Sequence, residues 1–133
     1  MMKRSLLKKT GAILGASFLI GTTAMAATEY DYYFNLSTSE AAYTPVKEKE
    51  TTSGTAKVTR TEPKTSETSI EVTMYNNGSS PKSDTKTIVG VGTKYPSYSG
   101  YNVNDGDFLR LRVYNPSGKN QGHSISAGGT WRP

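Results

Sequence analysis

Residues 108–114 read Phe-Leu-Arg-Leu-Arg-Val-Tyr, and this stretch decides the fold class. Apolar residues occupy every second position, and cationic or aromatic residues occupy the positions between them. A period of two places alternate side chains on opposite faces of an extended strand. The stretch therefore predicts a β-strand with one buried face (Leu109, Leu111, Val113) and one outward face (Arg110, Arg112, Tyr114).

The same period recurs along residues 27–133, and no segment there keeps a convincing helical period. Turn sequences such as Asn77-Gly78 and Asp105-Gly106 separate the candidate strands and supply the positive φ that tight turns need. Short strands with frequent turns predict an all-β fold, a single small antiparallel β-sandwich or open barrel. The other apolar positions expected on strand faces are Tyr30, Tyr32, Phe34 and Leu36; Ala56 and Val58; Ile70, Val72 and Met74; and the run of Ile88, Val89 and Val91, with residues 122–128 as a weaker strand before Trp131.

Residues 47–68 differ from the rest of the chain. They are charged, rich in threonine and serine, and contain no aromatic residue. This composition fits either a polar hairpin or a flexible loop. We expect the hairpin, with one exposed edge strand at residues 55–60.

The N-terminus predicts an export signal. A basic segment (1–10) precedes an apolar run (11–21), and Ala24 and Ala26 then have the spacing that a signal peptidase recognises. The apolar run is about half of the ~20 residues that cross a membrane. We therefore expect residues 1–26 to be a cleaved signal peptide and residues 27–133 to be a secreted, extracellular domain with no stable membrane anchor once processed.

Charge and cysteine content bound the choice of partners. Four of the sixteen basic residues lie in the predicted signal peptide, which leaves twelve against eleven acids in residues 27–133. This near-neutral balance lacks the clustered positive charge of nucleic-acid-binding domains, so we expect no nucleic-acid partner. Because the chain has no cysteine, the domain must fold on packing and hydrogen bonds without disulfides.

The sequence offers little for catalysis. His123 is the only histidine, and its surroundings depart from a Gly-x-Ser-x-Gly motif because Ser126 stands in place of the second glycine. Carboxylates are present, but none lies in a recognisable motif for glycoside hydrolysis. With one histidine and no cysteine, a zinc site is not expected. We predict a non-enzymatic protein with no catalytic residues, cofactor or metal.

Residues 102–107 concentrate asparagine and aspartate oxygens, which leaves two interpretations open. The first is a weak calcium site, since calcium prefers six to eight oxygen ligands. The second is a hairpin turn in which Asp105 and Asp107 lie near Arg110 or Arg112. The turn is preferred, because a glycine occupies one ligand position and no glutamate closes the loop.

Tyrosines are the most informative candidates for binding. Three of them fall in a loop punctuated by proline and glycine, where they could form a flat amphipathic platform or complete the core. The outward face of residues 108–114 could add a basic, aromatic surface. The candidate binding residues are Tyr95, Tyr98, Tyr101, Arg110, Arg112 and Trp131.

The C-terminal part combines a Gly-x-x-Leu-Arg-Leu strand, an asparagine-containing turn and a closing alanine–glycine–tryptophan sequence. The positions are Gly106, Leu109, Arg110, Leu111, Asn115, Ala127, Gly128 and Trp131, with Gly129 one residue beyond the usual spacing. This pattern resembles the end of small exported Gram-positive proteins of unknown function, some encoded beside bacteriocin-type transporters. The resemblance implies a secreted bacterial factor linked to antagonism between bacteria, and it carries over no catalytic residue.

These observations predict a secreted, non-enzymatic bacterial protein that is bacteriocin-like or bacteriocin-associated and acts by binding. The alternative is a cell-wall or carbohydrate-binding module that uses surface tyrosines. In either case, the expected partner is a cell-surface component: a wall glycan, the membrane or a transporter protein.

Overall fold

The computed structural model describes residues 27–65 and 67–133, so the predicted signal peptide lies outside the described residues. These residues form strands, turns and loops, and among them there is no helix that could cross a membrane. The strands are β1 (Tyr30–Leu36), β2 (Ala41–Tyr43), β3 (Lys47–Glu48), β4 (Lys57–Glu62), β5 (Ser69–Tyr75), β6 (Lys86–Val89), β7 (Gly92–Lys94), β8 (Phe108–Tyr114) and β9 (Ile125–Arg132).

The strands form two antiparallel sheets that pack against each other without closing into a barrel. The first sheet has the order β1-β9-β4-β7. The second has the order β2-β8-β5-β6, and β3 pairs with β8 beside β2. The predicted all-β sandwich architecture is therefore confirmed.

The core lies between the two sheets and follows the period of two in the strands. On β8, Leu109, Leu111 and Val113 are buried, as predicted from their alternation. Each fully buried aliphatic side chain of this size contributes about 1.5–3 kcal/mol relative to an exposed one. The rest of the buried apolar set is Tyr32, Leu36, Ala56, Val58, Ile70, Val72, Met74, Ile88, Tyr98, Ile125, Ala127 and Trp131, with Tyr30 and Phe34 partly buried against it.

The apolar residues in the run at 88–91 are not all buried in the core. Ile88 is buried, but Val89 and Val91 are 66% and 48% exposed. Val89 follows Ile88 on β6 and therefore faces the opposite side of the sheet. The chain then turns at Gly90, which has a φ of 66°.

The prediction of an exposed edge strand at residues 55–60 is wrong. β4 is an inner strand that pairs with β9 on one side and β7 on the other, and Ala56 and Val58 are fully buried. The expected hairpin does not form either, because β3 pairs with β8 instead of β4. The inner position of β4 in the sheet is not evident from the composition of this segment, because its apolar side chains are few and small.

Arg60 ties this inner strand to its surroundings. Its side chain is fully buried, and the guanidinium donates hydrogen bonds to the carbonyl oxygens of Thr68 (2.7 Å), Gly90 (3.2 Å) and Ser126 (2.8 Å). Burial lowers the pKa of the Arg60 guanidinium. An aliphatic residue at this position would leave three carbonyl groups without these donors, which is costly in a buried environment.

Candidate functional site

The outward face of the second sheet is built by the side chains that alternate with the core. On β8 these are Arg110, Arg112 and Tyr114, and on the neighbouring β5 Tyr75 points the same way. Strand register brings them together: Arg110 lies opposite Tyr75, and Arg112 lies between Thr73 on β5 and Tyr43 on β2. We call Tyr43, Tyr75, Arg110, Arg112 and Tyr114 the tyrosine–arginine face.

Within this face, rings and guanidinium groups interleave. The Cζ atom of Arg110 lies 4.2 Å from the centre of the Tyr43 ring. The Cζ atom of Arg112 lies 4.8 Å from the Tyr114 ring centre and 5.8 Å from that of Tyr75. Tyr43 and Tyr75 meet edge to face, with centroids 5.6 Å apart. Each cation–π contact contributes about 0.5–1 kcal/mol at an exposed site, so the contacts hold the cations in place.

The two arginines differ in what their N–H groups do. Arg110 donates to the carbonyl oxygens of Asn76 (3.2 Å) and Gly78, so it holds the turn that follows β5. Within the part of the chain that the structure describes, Arg112 makes no hydrogen bond or ion pair. Arg112 is therefore positioned by two rings while its donors remain available, and a planar guanidinium can bind a carboxylate or phosphate through two parallel bonds.

A cleft of about 360 Å³ borders this face. Asn76, Gly78, Lys82 and Phe108 contribute to its lining. Phe108 precedes Arg110 by two residues on β8, so it extends the outward row, and its side chain is 57% exposed. The cleft thus adds an exposed ring, a third cation and the Asp107 carboxylate to one end of the tyrosine–arginine face.

Of the two interpretations of the tyrosine loop at residues 95–101, core packing holds for Tyr98, so the three tyrosines do not form one flat platform. Tyr95 is exposed and Tyr101 half-buried, but Tyr98 is only 5% exposed. The amide of Tyr98 donates to the carbonyl oxygen of Gly54, and that of Ala56 donates to the carbonyl oxygen of Pro96. These bonds fold the loop onto the segment before β4 and turn the Tyr98 ring into the core.

The Tyr98 ring lies 5.5 Å from the Nζ atom of Lys49, which is also buried. Burial raises the pKa of the Tyr98 hydroxyl, and within the described residues its oxygen has no hydrogen-bond partner. Burial also lowers the pKa of Lys49, an effect that the charges of Asp105 and Asp107 partly oppose. This cluster is therefore interior and structural.

Trp131 also lies inside. It is 1% exposed, and its ring centre is 5.7 Å from that of Tyr30. Since an indole in the core offers no surface to a partner, Trp131 supports the sandwich and leaves the tyrosine–arginine face as the candidate site.

Residues 102–107 form a tight turn. The Asn104 amide donates to Oδ2 of Asp107 (2.8 Å), and Gly106 has a φ of 90°. The turn is fastened to the chain at Lys49 by two backbone hydrogen bonds. Among the described residues, no group of three acidic or histidine side chains is arranged to hold a metal. Among the described residues, no ion pair joins Asp105 or Asp107 to the β8 arginines, and the charges of both aspartates act on Lys49.

His123 and Ser124 are both exposed in the loop before β9. The carbonyl oxygen of His123 accepts a hydrogen bond from Nδ2 of Asn115 (2.9 Å), so this residue takes part in the fold through its backbone. The loop connects β8 to β9, which is not the strand–turn–helix setting of a nucleophile elbow.

Three members of the tyrosine–arginine face were predicted from the sequence (Arg110, Arg112 and Tyr114), and two were not. Tyr75 carries a readable signal, because it alternates with Met74 and shares the outward phase of Glu71 and Thr73. Tyr43 ends a strand of only three residues, which is too short to display a period.

Comparison with models of protein families, with characterised proteins and with solved structures found no match to this chain. The geometry of the tyrosine–arginine face is therefore the main support for a function, and the family resemblance of the C-terminal residues stays a prediction.

Proposed function

We propose that this protein is a secreted, non-enzymatic binding protein whose tyrosine–arginine face contacts an acidic polysaccharide of the bacterial cell surface. The observation that carries the proposal is Arg112, which stands between the rings of Tyr75 and Tyr114 with its donors available. Aromatic rings pack on the apolar faces of sugar rings, and a guanidinium pairs with carboxylate or phosphate groups. A ligand that combines both chemistries is an anionic glycan.

The shape of the face favours a polymer over a small molecule. Its members lie on a flat sheet, and the outward row of β8 runs from Phe108 to Tyr114 over about 20 Å. A linear chain lying along β8 would meet a ring, two cations and a second ring in succession. The C-terminal half of the protein also carries more bases than acids, since residues 72–133 hold seven Lys or Arg and three Asp.

The direct test compares Arg112→Gln with the unchanged protein, using purified wall teichoic acid as the anionic polymer and dextran as the neutral one. Loss of the paired donors should weaken binding to teichoic acid by about tenfold, equivalent to ~1.4 kcal/mol. Arg112→Lys keeps the charge but loses the planar guanidinium. Its affinity for teichoic acid should therefore lie between those of the unchanged protein and Arg112→Gln. Isothermal titration calorimetry at two salt concentrations measures the effect, which should shrink at high salt.

Lys94→Gln is the matched control, because it removes one exposed cation from β7, at the edge of the other sheet. It should bind teichoic acid as the unchanged protein does. Equal losses in Lys94→Gln and Arg112→Gln would show that only net charge matters, and equal affinity for dextran and teichoic acid would contradict an anionic ligand.

Expression of the full chain in a Gram-positive host tests the predicted export, and the secreted protein can then be used to test the bacteriocin-like activity. Protein made from the full chain in a Gram-positive host should appear in the medium with Ala27 as its first residue, read by mass spectrometry. Adding it to intact cells while recording bound protein and growth separates the two binding roles. Binding with growth arrest supports an antimicrobial factor, and binding without arrest supports a wall-binding module.

A further inference from the structure

The sandwich has several open sheet edges, and natural proteins protect such edges with short strands, lysine, proline or irregular backbone. β7 has three residues and ends in Lys94, and β6 has four residues and begins with Lys86. The edge formed by β2 and β3 is interrupted between residues 44 and 46, where Pro45 lies. Each of these edges is therefore poorly suited to pairing with another chain.

β1 is different. It forms the edge of the first sheet along all seven of its residues, which contain no lysine and no proline. Its pairing with β9 runs without a register shift from Tyr30 to Leu36. Among the described residues, the one side-chain hydrogen bond that reaches the β1 backbone comes from Asn115 to the carbonyl oxygen of Leu36. Alternate backbone N–H and C=O groups of a regular edge strand point outward and can accept a new strand.

We propose that β1 pairs with β1 of a second copy of this chain, antiparallel and centred on Tyr33. In this arrangement Tyr33 lies opposite Tyr33 of the second copy, and all seven residues of each strand are paired. The two first sheets would join into one continuous sheet, with a twofold axis through the new pair of strands. This is the self-complementary contact that a cyclic dimer requires.

The sequence of β1 is self-complementary in this register. Tyr32 falls opposite Phe34 of the second copy, and Tyr30 falls opposite Leu36, so that apolar residues continue the core face across the junction. On the outer face, Asp31 falls opposite Asn35, where a carboxylate can accept a hydrogen bond from an amide. Moving the centre to Asp31 would place two carboxylates face to face, which is destabilising.

The outer-face side chains are already available for these contacts. Tyr33 is 56% exposed, and Asp31 and Asn35 are exposed as well. The contact lies at the edge of the first sheet, whereas the tyrosine–arginine face lies on the outer side of the second sheet. The dimer proposal can therefore be tested independently of the proposed polysaccharide binding.

The experiment replaces Asn35, which lies opposite Asp31 of the second copy, with a cationic residue in one variant and an anionic residue in another. Protein made from the full chain should form a reversible dimer in sedimentation velocity between about 1 μM and about 1 mM. Asn35→Lys creates two opposite-charge pairs across the twofold axis and should lower the dimer dissociation constant several-fold. Asn35→Asp creates two like-charge pairs and should raise that constant by about tenfold.

Val89→Lys and Val89→Asp are the matched controls, because Val89 is exposed on the edge strand β6 of the other sheet. Both should leave the dissociation constant unchanged, and circular dichroism should show that all four variants are folded. A protein that stays monomeric over the whole concentration range overturns the proposal. So does a shift of the two Asn35 variants in the same direction, or an equal effect of the Val89 variants.

Discussion

At the scale of single residues, Gly129 shows how little room the sheet leaves. β9 shifts its register against β4 between Gly128 and Gly129. A Cβ atom on Gly129 would lie 1.9 Å from the carbonyl oxygen of Thr59, which is backbone of the paired strand. A Cβ on Gly128 would instead meet the ring of Tyr33 at 2.6 Å, and that exposed side chain can move. The bulge therefore depends on the absence of a side chain at position 129.

We expect Gly129→Ala to lower the free energy of unfolding by about 3 kcal/mol or more, because β4 and β9 would have to separate. Chemical denaturation followed by circular dichroism measures this loss. Gly118→Ala is the control, since nothing lies within 4 Å of the added methyl group. If the two variants have equal stability, the close approach of the strands at Gly129 is relieved without cost and this account of the bulge is wrong.

At the scale of elements, two buried asparagines join the loop between β8 and β9 to both sheets. Nδ2 of Asn115 donates to the carbonyl oxygens of Leu36 (3.2 Å) and His123 (2.9 Å). Nδ2 of Asn120 donates to Oδ1 of Asn115 and to the carbonyl oxygen of Ser69, both at 2.7 Å, and its Oδ1 accepts from the Ser69 amide. The loop thus replaces backbone pairing with side-chain amides that can both donate and accept.

Asn120→Asp keeps the shape of this side chain but removes both donors. At neutral pH we expect a loss of about 3 kcal/mol in the free energy of unfolding, because a buried carboxylate would face two acceptor oxygens. Protonation restores one donor, so the deficit should shrink as the pH falls toward about 4. Denaturation at both pH values measures the change, with Asn77→Asp in an exposed turn as the control. A deficit that does not depend on pH would argue against this hydrogen-bond assignment.

At the scale of the whole molecule, a cysteine-free core depends in part on buried tyrosines. Tyr32 is 6% exposed, and its hydroxyl donates to the carbonyl oxygen of Thr59 (3.0 Å). Burial raises the pKa of Tyr32 and of Tyr98 above the usual value of 10. The unfolded chain therefore ionises these hydroxyls first as the pH rises, so the stability that the two neutral hydroxyls contribute is complete below about pH 10 and decreases as the pH rises further.

We expect the protein to unfold at alkaline pH, with ionisation of these two tyrosines delayed until the fold is lost. Tyrosinate absorbance and far-ultraviolet circular dichroism, recorded on the same samples, test the coupling. Tyr98→Phe should reduce the loss of stability above pH 10, because it removes one of the two groups. Early ionisation of all nine tyrosines with the fold intact would show that Tyr32 and Tyr98 are accessible to solvent.

The sequence alone determined the inward and outward faces of the long alternating strands β8 and β5. The alternation in β8 and β5 correctly placed Leu111, Val113, Ile70 and Met74 in the core, because period two is a local property of an extended backbone. It also placed Arg112 on an outward face. These inferences need no knowledge of which strands are neighbours.

Only the tertiary structure decided how the strands pair. Strand pairing in turn decided whether residues with an ambiguous local pattern are buried or exposed. β4 is central because β9 and β7 flank it, although its composition is that of a solvated segment. Tyr98 and Trp131 are buried by contacts made across the fold, and Tyr43 reaches Arg110 through the register of β2 against β8. Pairing joins residues far apart in the chain, and its energy comes from burial and cross-strand contacts that no short stretch of sequence contains.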